Sequence, residues 1–236
     1  MGMDGIVVQN VSKYYRNTTG DTFTSLKDVS FTWNKNENIG IIGESGSGKS
    51  TLARLIVGLE KPNDGQILID DENIKQWTYH RWRKERTHIQ AVFQDASGTL
   101  NPAFSVYRNM EETLRNLTSL GKKERRERIY DLMERTDMHT KLLDVPTRQL
   151  SGGEQRRLSL LRALSIHPDY VVLDEVTSGL DLLSAESVLS VLDKYHDEFG
   201  CAYLFITHDK QNAYRVSHRI FEIQKGELIK QGQKVI

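Results

Sequence analysis

The stretch IIGESGSGKSTL, Ile41 to Leu52, decides how the rest of the chain is read. It leaves a short apolar strand, IGII, turns at Gly43, Gly46 and Gly48, and runs from Ser50 into a helical pattern that the spacing carries to Leu59. Glycine lets backbone N–H groups point inward at phosphate oxygens because no Cβ stands in the way. Lys49 adds a point charge for the β and γ phosphates, and Ser50 supplies a hydroxyl to Mg²⁺. The helix beginning there adds the positive end of its dipole. The candidate nucleotide-binding residues are therefore Gly43, Glu44, Ser45, Gly46, Ser47, Gly48, Lys49, Ser50 and Thr51. A flexible glycine turn is the plain alternative; the strand before the loop and the helix after it favour the phosphate cradle.

Working outward, the residues before the loop alternate with a period of two. GIVVQNVSKYY and LKDVSFTW read as strands, with a polar turn from Asn34 to Asn38. After the loop helix, KPNDG punctuates, QILID returns to a strand, and IQAVF is a strand ending at Gln94. From residue 95 to 149 the pattern changes to charged, helix-favouring sequence such as KKERRERIYDLMERT, expected to be a helical insertion. Strands then alternate with helices: YVVLDE, a helix with Val188, Leu192, Tyr195 and Phe199 on one face, AYLFIT, and RIFEIQ. That alternation predicts an α/β fold with a mainly parallel sheet.

Composition narrows the function classes. The 32 basic and 32 acidic side chains of this 236-residue chain cancel, so no global field draws it to nucleic acid or anionic lipid. Hydrophobic residues at 38% and charged residues at 27% describe a globular protein with a sizeable core. A single cysteine excludes an internal disulfide and suits a reducing compartment. No apolar run reaches the ~18 residues of a membrane span, and no basic-then-apolar export signal opens the sequence. The basic stretch HRWRKERTH, His80 to His88, is expected to be a solvated helix face.

Two further stretches carry chemistry. YVVLDE ends in Asp174 and Glu175; beside a phosphate loop, one carboxylate can hold a metal's water shell while the other orients an attacking water. QLSGGEQRRLSL, Gln149 to Leu160, places two glycines at a second helix start, again suited to an anion. Together with an N-terminal aromatic, Gln94, SGLD and ITHD, these motifs occur in the order found in ATP-binding cassette (ABC) ATPases, which the chain resembles over nearly its whole length. The resemblance implies a P-loop core of residues 1–94 and 150–236, with an N-terminal antiparallel β subdomain, and a helical subdomain of residues 95–149.

It also implies roles. Tyr15 matches the aromatic that stacks on adenine, with Tyr14 a close competitor and strand packing an alternative. Glu175 is expected as general base, His208 at the γ-phosphate, and Gln94 at the metal and attacking water. Ser50, Gln94 and Asp174 are the expected Mg²⁺ residues. Ser151, Gly152, Gly153 and Glu154 would meet the ATP held by a second cassette, the same chain or a paralogue, in a head-to-tail dimer, with Asp181 touching that partner. Integral-membrane permease subunits and, indirectly, an extracytoplasmic substrate-binding protein complete the implied assembly, at the cytoplasmic face of the membrane and without nucleic acid.

IQAVFQDASGTLNP resembles the corresponding segment of peptide and nickel importer ATPases, with Ala96 in place of their usual proline; Val176 likewise stands where most relatives have proline. The basic, proline-containing extension that many peptide-importer ATPases carry does not follow GELIKQG here. Import of peptides or of nickel or another chelated metal is the expected work. An ATPase of a lipoprotein-release or efflux complex, which also commonly reads LSGGEQ, is the alternative.

Overall fold

The computed structural model describes residues 5–94, 97–136 and 138–233, so the departure at Ala96 lies outside the described residues. Strands β1 (Gly5–Arg16) and β2 (Thr22–Asn34) form a long antiparallel hairpin. Its turn is fixed by the Asn17 side chain, whose Oδ1 accepts from the backbone amides of Thr19 and Asp21 at 3.1 and 2.8 Å. The chain then crosses through β3 (Ile39–Ile42) to a second sheet, forms α1 (Lys49–Ile56), and returns through β4 (Asp64–Ile69) and β5 (Glu72–Asn73) to the first. That first sheet has the order β2-β1-β4-β5 and is antiparallel throughout.

Next come α2 (Tyr79–Glu85), β6 (Ile89–Val92), and the paired helices α3 (Val106–Leu117) and α4 (Lys122–Arg135). The last third alternates: α5 (Gly152–Leu164), β7 (Tyr170–Asp174), α6 (Leu182–Phe199), β8 (Ala202–Thr207), α7 (Lys210–Val216), β9 (Arg219–Gln224) and β10 (Glu227–Gln233). The second sheet runs β10-β9-β3-β8-β7-β6; its inner pairings are parallel and β10 is the antiparallel edge. Every residue of β3, β7 and β8 is buried, which is why these strands read as unbroken apolar runs: both sheet faces are covered.

Two apolar clusters hold the layers together. One joins the two sheets around α1, with Trp33 of β2 packed edge-on to Tyr170 of β7 at 5.0 Å between ring centroids. The other runs from Met110, Leu114, Ile129 and Met133 of the inserted helices through Leu158 and Leu161 of α5 to Val188 and Leu192 of α6. The insertion therefore shares one continuous core with α5 and α6 and is packed against them as a body.

Three expectations change. The loop helix stops at Ile56, not Leu59, because Gly58 takes φ +67° and Trp82 of α2 packs where a Gly58 Cβ would stand, 1.9 Å away. The stretch His80–His88 is accordingly not a plain solvated face. Trp82 is partly buried beneath α1, and Arg86 donates from Nη1 to the Val57 carbonyl at 2.8 Å, satisfying an acceptor left over at the helix end. On α6 the expected stripe holds for Val188, Leu192 and Tyr195, but Phe199, in the turn before the left-handed cap Gly200, remains 37% exposed.

Candidate nucleotide site

The loop from Gly43 to Gly48 lies between β3 and α1, at the carboxyl ends of the parallel strands where open α/β sheets take ligands. Packing adds a reason for glycine that the sequence alone did not supply. A Cβ on Gly43 would meet the Ile223 carbonyl at 2.3 Å, and one on Gly48, at φ +109°, would meet the Ser25 carbonyl at 2.4 Å. The loop is pressed onto β9 and β2, so these two positions are fixed by the protein's own backbone as much as by a ligand. Gly48 is also the N-cap of α1, with no side chain closing the helix start.

A cavity of about 390 Å³ opens over this helix start, lined by Tyr15, Ser45, Gly46, Gly48, Lys49, Ser50, Thr51, Gln94 and Glu175 among others. Lys49 is 6% exposed, and its Nζ donates to the carbonyls of Gly43 at 2.7 Å and Glu44 at 2.9 Å, bracing the loop from within. Burial draws its amine below the usual lysine range, while the Glu175 and Asp174 charges push back. Ser47 differs from its neighbours. Its side chain is buried without a hydrogen-bond partner, and its amide donates to Glu44 O at 3.2 Å, so it serves the turn itself.

Glu175 lines the cavity, whereas Asp174 is buried and reaches it through the Ser50 side chain. Burial raises the Asp174 carboxyl above its ordinary value, against the Ser50 hydrogen bond and the Lys49 charge, and its Oδ1 is buried with no hydrogen-bond partner. An orphaned carboxylate oxygen beside a serine hydroxyl suits a hydrated, oxygen-seeking cation, so these residues fit Mg²⁺. Glu175 adopts φ +54°, a left-handed conformation unusual for a residue with a Cβ. This turns its carboxylate toward the cavity, with Oε2 2.9 Å from His208 Nδ1 and Oε1 3.9 Å from Lys49 Nζ.

Tyr15 lines the cavity, whereas Tyr14, its competitor on the same strand, is 38% exposed and does not. Ser151, Gly152, Gly153, Glu154 and Asp181 are not brought into this cavity. Ser151 is exposed and caps α5 through a reciprocal box: its amide and its hydroxyl donate to Glu154 Oε2 at 2.8 and 2.7 Å, and its hydroxyl accepts from the Glu154 amide at 3.3 Å. Asp181 caps α6, accepting from the Ser184 amide at 2.9 Å. Arg156 of α5 donates to the Ser178 carbonyl, tying the two helix starts together. The exposed leucines Leu182 and Leu183 follow Asp181 on the same surface.

A glycine loop between a parallel strand and a helix, with a buried lysine and a strand-end Asp-Glu pair, defines a nucleoside-triphosphate-binding protein of the P-loop class. The sequence profile of the ABC transporter family matches residues 26–178, and this chain belongs to that family. It is 38% identical over 204 residues, covering 86% of this chain and 76% of the relative, to the nickel import ATP-binding protein NikE of Shigella boydii serotype 4. Among solved structures it superposes with a TM-score of 0.88 on the dimeric post-hydrolysis ATP-binding cassette MJ0796 bound to ADP and Pi, at 28% identity over 97% of this chain and 98% of that one. It also superposes on cbiO1 of Clostridium perfringens, part of the transporter complex cbiONQ, with a TM-score of 0.84 at 29% identity, covering 99% and 90% of the two chains. The chain is an ATP-binding, ATP-hydrolysing subunit of an ABC transporter.

Proposed function

We propose that this subunit powers import of nickel, another chelated metal or small peptides through separate permease subunits, working as a head-to-tail pair of cassettes at the cytoplasmic face of the membrane. The similarity to NikE supports the importer reading. No helix of the described residues is long and apolar enough to cross a membrane.

The observation that carries the paired mechanism is the exposed Ser151 helix start, outside the cavity that Lys49 lines. In the pair, Ser151, Gly152 and Gly153 of one cassette close on the triphosphate held by the loop of the other. Lys49 exchanges the Gly43 and Glu44 carbonyls for phosphate oxygens. Ser50 and Asp174, with Gln94 at the cavity rim, would hold Mg²⁺, which when bound offsets phosphate charge. His208 occupies Glu175 Oε2, leaving Oε1 to take the proton of the attacking water. Hydrolysis removes the γ-phosphate contact across the junction and frees the partner.

ATP-dependent dimerisation of a Glu175→Gln variant, followed by analytical ultracentrifugation with and without MgATP, tests the pairing: a monomer at saturating nucleotide rejects it. Uptake of nickel or of a short peptide library into vesicles carrying the co-purified complex tests the cargo.

A further inference from the structure

Glu60 lies just beyond the C-terminus of α1, where the helix dipole opposes a carboxylate. An acid retained there asks for compensation, and the structure supplies it from two directions. Glu60 Oε1 accepts from Arg54 Nε at 2.7 Å, and Oε2 accepts from the Tyr15 hydroxyl at 2.6 Å and lies 3.2 Å from Lys13 Nζ. The backbone adds a third tie, since the Glu60 amide donates to the Arg54 carbonyl at 3.3 Å. Burial raises the Glu60 carboxyl, but the bonds from Tyr15, Arg54 and Lys13 outweigh it and hold it below the ordinary range. Glu60 is therefore an anionic peg attached to the phosphate-loop helix at one end and to an aromatic on the β hairpin at the other.

We propose that Glu60 is a positioning residue for nucleotide binding: it fixes the Tyr15 ring relative to the phosphate loop, so that base and triphosphate are held at one separation. This rests on the reading of Tyr15 as the residue that stacks on the base. Lys13 Nζ stands over the Tyr15 ring at 5.0 Å from its centroid, and the ring lines the same cavity as Lys49 and Ser50, where a base can meet it. On the far side, Arg54 Nη2 donates to Thr51 Oγ1 at 3.3 Å, and Thr51 Oγ1 accepts from Ser25 Oγ at 2.8 Å. The chain of contacts thus runs from Tyr15 through Glu60 and Arg54 to the first turn of α1. A ring held this way loses little freedom when a base stacks on it, and affinity rises through preorganisation.

The test is a cycle of Tyr15→Phe and Glu60→Ala, with Tyr15→Ala as reference, titrated calorimetrically with MgATP and with magnesium tripolyphosphate, which has no base to stack. Glu60→Ala and Tyr15→Phe are each expected to weaken MgATP binding about five- to tenfold. The double variant is expected to lose no more than either single one. Tripolyphosphate affinity should stay within about twofold, as befits a contact on the base side. In turnover, KM for ATP rises while kcat at saturation is kept. Equal losses for both ligands would assign Glu60 to loop stability and overturn the proposal. So would wild-type affinity in Tyr15→Phe, or additive losses in the double variant. Wild-type MgATP affinity in Tyr15→Ala would remove the stacking reading itself, and the proposal with it. A loss in Tyr15→Ala with none in Glu60→Ala would remove the proposal alone.

Discussion

The two helix starts whose sequences suit an anion are made on opposite plans. At α1 the cap is Gly48, left-handed and without a capping side chain, pressed onto β2 and braced by a buried lysine. At α5 the cap is Ser151, exposed and closed by its own glutamate. The first is fixed by tertiary contacts and offers its backbone to a ligand. The second carries its own cap, and Gln155 and Arg156 tie it to the Thr147, Leu150 and Ser178 carbonyls on either side. In the proposed pair, the site that would stay formed through binding, hydrolysis and release is set into the sheet, and the one that would join and leave a partner's nucleotide stands on a helix capped by its own side chains.

Substitutions can break or sharpen this contrast. The largest effect is expected in the first site's chemistry: Glu175→Gln should slow phosphate release about 100-fold or more, ~2.7 kcal/mol at the barrier, while calorimetry shows ATP binding retained. Lys49→Ala should weaken ATP binding itself by about 10- to 100-fold, since a charge-assisted contact to phosphate is lost.

The glycines give the sharpest division. Gly48→Ala forces a side chain into a left-handed position against the Ser25 carbonyl and should cost about 1–3 kcal/mol of stability in thermal melts without nucleotide. Gly152→Ala meets nothing within 4 Å and sits in a helix, so its melting temperature should equal or exceed wild type. Similar losses at both positions would dissolve the distinction.

At the second site, Ser151→Ala should cost about 1 kcal/mol of stability through the lost cap and should abolish ATP-driven dimerisation in the Glu175→Gln background. The smallest effect is a pH dependence. Hydrogen bonds from the Ser151 side chain and backbone hold the Glu154 carboxyl below the ordinary glutamate range, so the box contributes stability above that range and loses it as pH falls through the lower folded value. Glu154→Gln should therefore melt slightly below wild type at pH 7 and match it near pH 3, read by circular dichroism.

The contrast also separates what sequence reveals from what it hides. The phosphate loop, the LSGGEQ helix start and the strand ending in Asp174 and Glu175 are legible because each packs its chemistry into contiguous residues with fixed offsets. Tyr15 remained ambiguous with Tyr14, since strand alternation alone does not say which face meets the cavity when β1 is bulged, as its register against β2 shows. Glu60 is hard to read from sequence because its partner Tyr15 lies 45 positions away, although an acid at a helix C-terminus six residues beyond an arginine is a signal that points to compensation. Trp82 looked like part of a solvated basic run, and its place under Gly58 is a tertiary fact that no local pattern encodes. The left-handed backbone of Glu175 was equally invisible, since nothing about glutamate announces it.

The lysine that braces its own loop has a consequence for timing. Because Lys49 is anchored on the Gly43 and Glu44 carbonyls, the protein's own ammonium braces the loop from within. In the proposed cycle the ammonium would leave these two oxygens for phosphate and return to them when products depart, so the loop would begin and end each stroke on the same pair of carbonyls.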